Sequence, residues 1–265
     1  MTRRRADAAL VDAGLFASRE QAKAAIIAGR VRIGDSPVVK PGQPVDDEVV
    51  FWVEPAQEYV SRGGHKLAGA LDVFGIDVDG MSAVDVGAST GGFTDCLLQR
   101  GVVSVTAVDV GYGQLAWKLR QDPRVTVVER TNMRSVDGDL PGAPFGLAVI
   151  DVSFVGLAKI LPAVSTVLGE SGEMVALVKP QFEAGKARVG KRGVVRDAAV
   201  HVDVLQDVIV FAGTHGWGLL GLTWSPITGP EGNIEFWVRL GRGAESVPVD
   251  IDGIVRAAHD ALGGR

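Results

Sequence analysis

Four charged residues stand where charge is unexpected. Asp151 follows the apolar run 147–150, and Lys179 follows the apolar run 174–178. Lys66 comes just after Gly63-Gly64-His65, and Glu235 lies inside the run 234–238. The apolar runs have the length of buried strands. Parallel strands end at one edge of a doubly wound sheet, where ligands sit, so Asp151 and Lys179 are candidates to meet there. Two lysines and two carboxylates can hold and move a proton, or they can form two structural ion pairs. The residues alone leave both readings open.

A second set suits a nucleoside. Residues 83–87 read as a buried strand, Gly87-Ala88-Ser89-Thr90-Gly91-Gly92 as a turn, and residues 93–98 as the opening of a helix. Glycines let a ligand approach the backbone closely. Asp85, Gly87, Ala88, Ser89, Gly91, Gly92 and Phe93 are therefore candidate cofactor contacts. The second strand, 103–108, ends in Asp109, whose carboxylate can accept both hydroxyls of a ribose. The third strand, 125–129, leads to Asn132, which can read an adenine edge or close the pocket. A turn with glycine for steric reasons alone is one competing reading. A nicotinamide site is another, but its Gly-x-Gly-x-x-Gly fingerprint seats a pyrophosphate on a helix N-terminus. Here Ala88 and Ser89 take the central positions, and with Asp85 they fit a ligand without phosphates better.

These residues need a scaffold, and the chain offers two. From residue 66 on, strands alternate with helical patterns, the mark of a parallel α/β sheet over 66–265. Runs 219–222 and 234–240 suggest an added antiparallel pair, and 251–262 an amphipathic helix. Residues 55–65, with Pro55 and Gly63-Gly64, read as a linker. Residues 1–54 read differently, as two short helices and strands. The first helix, 6–13, stops at Gly14. Ser18 caps the second with Gln21 as its capping-box partner, and Gly29 ends it. Val31 and Ile33 alternate with Arg30 and Arg32, and 49–53 is a further strand.

Charge separates the two parts. The chain has a formal net charge of -5, yet residues 1–44 carry eight Lys/Arg against four Asp/Glu. Arg3, Arg4, Arg5, Arg19, Lys23, Arg30 and Arg32, with Arg62 beyond them, are candidate contacts to RNA phosphates; an ordinary solvated face is the alternative. Lys186, Arg188, Lys191 and Arg192 form a basic stretch after Lys179, either a lid on the RNA backbone or a solvated loop. The single Cys96 excludes an internal disulfide and a cysteine zinc site. His201 and His215 show no metal-ligand spacing, so no metal is expected. No run of about 18 apolar residues exists, so neither a membrane span nor a membrane partner is expected. A cytoplasmic monomer is the expectation.

The words Ser61-Arg62-Gly63-Gly64-His65-Lys66-Leu67, Asp85-Val86-Gly87-Ala88-Ser89-Thr90-Gly91-Gly92-Phe93-Thr94, Asp109-Val110-Gly111-Tyr112-Gly113-Gln114-Leu115, Val178-Lys179-Pro180-Gln181-Phe182-Glu183 and Gly229-Pro230-Glu231-Gly232-Asn233-Ile234-Glu235-Phe236 resemble the TlyA family over nearly the whole chain. Residues 15–22 and 27–33 resemble an S4-like RNA-binding domain. Lys66, Asp151, Lys179 and Glu235 match, in order, the Lys-Asp-Lys-Glu tetrad of FtsJ-type ribose 2'-O-methyltransferases. The resemblance implies a Rossmann-like class I fold, with a mostly parallel seven-stranded sheet behind a small α+β S4-like module. It implies S-adenosylmethionine as methyl donor and a cytidine ribose in 16S and/or 23S rRNA, within 30S and/or 50S subunits, as acceptor. It further implies sensitivity of the ribosome to capreomycin and viomycin. In that frame Lys179 is the candidate base, Lys66 the neighbouring cation that makes it less basic, and Asp151 and Glu235 the groups that orient both lysines. Asp151 also borders the donor. Members of the family are also labelled haemolysins. A membrane-active protein and a non-catalytic ribosome-binding factor are the rival functions.

Overall fold

The computed structural model describes residues 3–55, 57–190 and 192–263. They fall into two compact units, Met1–Glu58 and Tyr59–Arg265.

In the first unit, strand β1 (Arg3–Arg5) runs into helix α1 (Ala6–Asp12), followed by α2 (Arg19–Ile27). Ser18 caps α2 as its sequence requires: its side chain accepts from Gln21 N at 3.3 Å, while Gln21 Oε1 accepts from Ala17 N at 3.2 Å. Then come β2 (Val31–Ile33), β3 (Ser36–Pro37), β4 (Pro44–Asp46) and β5 (Phe51–Val53). Strand β1 pairs with β4, and β2 pairs with both β3 and β5. Ala6, Ala9, Leu10, Ala22, Ala25, Ile26 and Val31 fill a small apolar core. The strand Arg3–Arg5 was not expected. Three arginines are a poor strand signal, and the extended form comes from pairing with Pro44–Asp46.

The second unit holds α3 (Arg62–Phe74), β6 (Ser82–Val86), α4 (Gly92–Gln99), β7 (Ser104–Val108), α5 (Trp117–Arg120), β8 (Val125–Val128), β9 (Phe145–Ile150), α6 (Leu161–Val167), β10 (Leu168–Val178), α7 (Pro180–Glu183), α8 (Ala198–Thr214), β11 (Trp217–Trp224), β12 (Phe236–Arg242) and α9 (Ile251–Leu262). Helix α3 begins at Arg62, so the last positions of the expected linker 55–65 are helical. Gly63 and Gly64 look like linker residues, but Gly64 is buried against Tyr59, where a side chain would not fit.

Seven strands form one sheet in the order β11-β12-β10-β9-β6-β7-β8. Strand β12 runs antiparallel to β10 and β11; the other neighbours are parallel. This is the expected Rossmann-like, mostly parallel α/β sheet. Valine, leucine and isoleucine on both faces pack under helices, in two clusters, one holding Val84 and Ile150 and the other Leu147 and Leu177. The chain leaves β6 toward β7 and β8 on one side, and later fills β9 and β10 on the other. The carboxyl ends of β6 and β9 are therefore the switch point where a crevice opens. Antiparallel β12 adds a detail: its beginning lies at that same edge, with Phe236 opposite Val178. Glu235 thus sits just ahead of the strand rather than inside it.

Candidate active site

Four strand ends supply the site. Loop 87–91 follows β6, Asp109 follows β7, Asp151 follows β9, and Lys179 follows β10. The ends of β6, β7 and β9 border a cleft of about 540 Å³, within the range of small-molecule sites (roughly 300–1,000 Å³), and Lys179 reaches its edge through Asp151 and Ser153. Gly87, Ser89, Asp109, Asn132 and Asp151 line it. Apolar walls come from Val108, Val110, Met133 and Ile160, and cations from Arg134 and Lys159.

Gly87 explains why the loop needs glycine. Its φ is +86°, and a Cβ there would lie 2.3 Å from the carbonyl oxygen of Asp151. Only a residue without a side chain lets the ends of β6 and β9 come this close. Gly91 packs on Leu119 and Leu115, Gly92 on Ser61, and Phe93 lies 5.4 Å from the Trp237 ring. Ala88 borders a small gap beside Leu115. These four and Asp85 do not line the main cleft; they shape it from behind.

Asp85 is fully buried. Its Oδ2 accepts from Thr94 N at 2.9 Å and from Thr94 Oγ1 at 2.6 Å. A carboxyl thus occupies the first turn of α4, where a pyrophosphate would need the amide, and this weighs against a dinucleotide. Burial pushes the Asp85 carboxyl up to about 7, against the pull of the two Thr94 hydrogen bonds. Asp109 accepts from Ser89 N at 2.7 Å through Oδ2 and from Gly111 N at 2.6 Å through Oδ1. Each oxygen keeps a further lone pair for a ribose hydroxyl. Asn132 Oδ1 accepts from Arg134 N and Nε, both at 3.2 Å, and so shapes its loop as well as lining the cleft.

The four charged residues resolve into two pairs. Lys66 Nζ donates to Glu235 Oε2 at 2.5 Å in a buried setting. Lys179 is ion-paired with Asp151 and donates to Ser153 Oγ at 3.0 Å. Among the described residues no hydrogen bond or ion pair joins one pair to the other. Each lysine is held by its own carboxylate. Ser153 was missed in the sequence; its closeness to Asp151 was the available signal. Phe154 was missed too. It is 91% exposed, has a φ of +64°, and packs 5.1 Å from Phe182, whose ring lies 6.0 Å from Lys179 Nζ. Glu183 Oε1 accepts from Leu157 N at 2.7 Å and ties the segment after Lys179 to the one after Asp151.

The basic candidates behave unequally. Arg5 and Arg19 share the buried Asp7, at 2.9 and 3.2 Å. The Arg5 hydrogen bond is the largest cause holding the Asp7 carboxyl down at about 2. Arg4 pairs with Asp12 and Asp47, and Arg3 with Asp46. Arg30 donates to the Glu54 carbonyl, and Arg62 to the Thr228 carbonyl. Lys23 and Arg32 are exposed. In the basic stretch, Arg188 pairs with Asp203 at 3.0 Å, Lys186 and Arg192 are exposed, and Lys191 lies outside the described residues. Asn233 pins the end of this stretch: its Oδ1 accepts from Val195 N, and its Nδ2 donates to the Gly193 carbonyl, both at 2.9 Å. His65 stacks edge-on against Tyr59. Among the described residues no three His, Cys, Asp or Glu side chains form a metal cluster, and no helix is long and apolar enough to cross a membrane.

A sheet of this order, with a glycine loop at the switch point and acids at the next strand ends, defines a methyltransferase fold. Residues 59–242 match the FtsJ-like methyltransferase family, and residues 4–50 match the S4 domain. The chain is 46% identical over 262 residues to the 16S/23S rRNA (cytidine-2'-O)-methyltransferase TlyA of Mycobacterium tuberculosis, covering 98% of this chain and 97% of that protein. It is 38% identical to Hemolysin A of Brachyspira hyodysenteriae, over 84% of this chain and 93% of that one. A solved structure from Streptococcus thermophilus, described as a candidate hemolysin, superimposes with a TM-score of 0.76 at 44% identity, covering 99% of this chain and 98% of that chain. The chain belongs to the TlyA family of FtsJ-like methyltransferases and is a methyltransferase.

Proposed function

We propose that the protein transfers a methyl group from S-adenosylmethionine to the 2'-hydroxyl of a cytidine ribose in 16S and/or 23S rRNA, within 30S and/or 50S subunits. One observation carries the reading: the Lys179–Asp151 pair stands at the lip of the cleft that Gly87, Ser89 and Asp109 border. The rRNA (cytidine-2'-O)-methyltransferase activity of the M. tuberculosis relative supports the same substrate class.

The cleft fits the donor. Asp109 offers acceptors for ribose hydroxyls, Val108, Val110, Met133 and Ile160 offer apolar cover for an adenine, Asn132 offers a polar edge, and Gly87 lets the ends of β6 and β9 close up beneath it. Bound there, S-adenosylmethionine supplies an electrophilic methyl on a sulfonium. The attacking ribose oxygen must lose its proton as its bond to that carbon forms; the carbon–sulfur bond would break at the same time, its electron pair staying on sulfur, so that the neutral thioether S-adenosylhomocysteine would leave. Lys179 Nζ is the group placed to take this proton, and Asp151 stabilises the ammonium that results. Ser153 and Asp151 hold Nζ in place. Lys66 and Glu235 brace the neighbouring strand end. Alignment of hydroxyl and methyl supplies a large share of the rate. The S4-type unit contributes binding to RNA, mainly through phosphates. Cells that carry the modification are expected to be sensitive to capreomycin and viomycin.

The test is tritiated methyl transfer to unmodified 30S and 50S subunits. Label on the 2'-oxygen of a cytidine is the expected result. Protein that binds the donor in calorimetry yet labels neither subunit would overturn the rRNA assignment.

A further inference from the structure

The first unit keeps four of its arginines occupied in ion pairs and leaves an aromatic uncovered. Arg3, Arg4, Arg5 and Arg19 are all tied to Asp46, Asp12, Asp47 or Asp7. Arg32 has no ion-pair partner among the described residues and is exposed. It lies at the centre of the sheet β3-β2-β5, directly opposite Trp52 on β5 and Pro37 on β3. Directly opposed residues of antiparallel strands share one face. Val31, Ile33, Phe51 and Val53 point the other way, into the small core. Pro37, Arg32 and Trp52 therefore form a strip across the outer face, and Trp52 is 52% exposed. Arg30, two residues before Arg32, flanks the strip.

A large indole left in water on a sheet face has an energetic cost that an ordinary surface residue avoids. An unpaired guanidinium beside it adds charge complementarity to an anionic, π-bearing partner. Unpaired nucleotides combine these properties: a base to stack and a phosphate to pair. We propose that this outer strip is a nucleotide-stacking platform, with Trp52 stacking an unpaired base of the RNA and Arg32 contacting its phosphate. The inference rests on the rRNA reading above. It assigns a second contact surface to the first unit, apart from the self-paired arginines.

The experiment uses the full chain and the purified subunit that accepts label, in two salt concentrations. Trp52→Ala and Arg32→Glu are each expected to weaken binding roughly 5- to 100-fold. Trp52→Phe is expected to retain most of the affinity, because a smaller ring still stacks, and to remove the part of the tryptophan fluorescence that RNA quenches. Arg32→Glu should also flatten the salt dependence. Folded Trp52→Ala and Arg32→Glu variants that bind within about twofold of wild type would overturn the platform and leave the rRNA reading standing. Wild-type protein that binds neither subunit would overturn both.

Discussion

The two lysine–carboxylate pairs use the same chemistry with both lysines buried, and differ in how far the carboxylate is exposed to solvent. The side chains of Lys66 and Glu235 are 8% and 1% exposed; those of Lys179 and Asp151 are 11% and 22% exposed. The first pair links α3 to the start of β12, across 169 residues of chain. Glu235 Oε1 is buried without a hydrogen bond, and Gly229 lies so close that a Cβ would fall 2.6 Å from it. Such a pair is sealed, and each charge depends on the other. The second pair faces the cleft through Asp151 and Ser153. A substrate can reach it, and its geometry can change during a reaction. A charge pair at a sheet edge is thus a brace or a reactive centre according to which groups can still reach it.

Lys179→Met tests this contrast most strongly. It is expected to lower kcat by about 10²- to 10⁴-fold, the usual contribution of a positioned proton acceptor. Stability should fall by only about 1 kcal/mol, because Asp151 keeps access to the cleft. Methyl-transfer kinetics and urea unfolding read the two effects. A Lys179→Met enzyme with near-normal kcat would end the role proposed for this lysine.

The sealed pair should respond in the opposite sense. Lys66→Met strands a buried carboxylate and is expected to cost about 3–5 kcal/mol of stability. Adding Glu235→Leu should restore much of that loss without restoring activity. Chemical unfolding of the single and double variants measures both. A single variant within 1 kcal/mol of wild type would mean the pair is not a brace.

How far this contrast was legible in sequence depends on the residue. Asp151 and Lys179 directly follow apolar strands, so parallel topology alone brings them to one edge. Glu235 is harder to read. It reaches the edge only because β12 is antiparallel and starts there, a fact of strand order that no local pattern carries. Lys66 was expected as a cation neighbouring Lys179; that its own partner is Glu235, 169 residues away, is a pairing between distant segments that spacing does not set. The arginines of Arg3–Arg5 read as free charge, because the aspartates that occupy them are spread over Asp7 to Asp47. Phe154 could not be picked out at all: aromatics usually signal burial, whereas this one is exposed on a backbone with positive φ.

A third carboxylate sharpens the comparison further, since it is buried like Glu235 but has no cation. Asp85 Oδ1 is buried without a hydrogen-bond partner. Burial pushes its carboxyl up to about 7, and the nearby Asp151 and Asp109 charges push the same way. A buried acid without a counter-ion relieves the cost by keeping its proton. The sign of the linkage follows. Between the ordinary carboxylate range near 4 and about pH 7, the folded protein binds a proton that the unfolded chain has released. Asp85 therefore favours folding at low pH, and this contribution is lost as pH rises through that window. Asp85→Asn keeps an acceptor for Thr94 but has nothing to titrate. Relative to this variant, wild type is expected to lose on the order of 2–3 kcal/mol of stability between pH 5 and pH 8. Urea unfolding of both proteins across this range gives the difference directly. A flat difference would mean that Asp85 stays ionised in the folded state, and that the Thr94 donors alone satisfy a buried carboxylate that Glu235 needs a lysine to match.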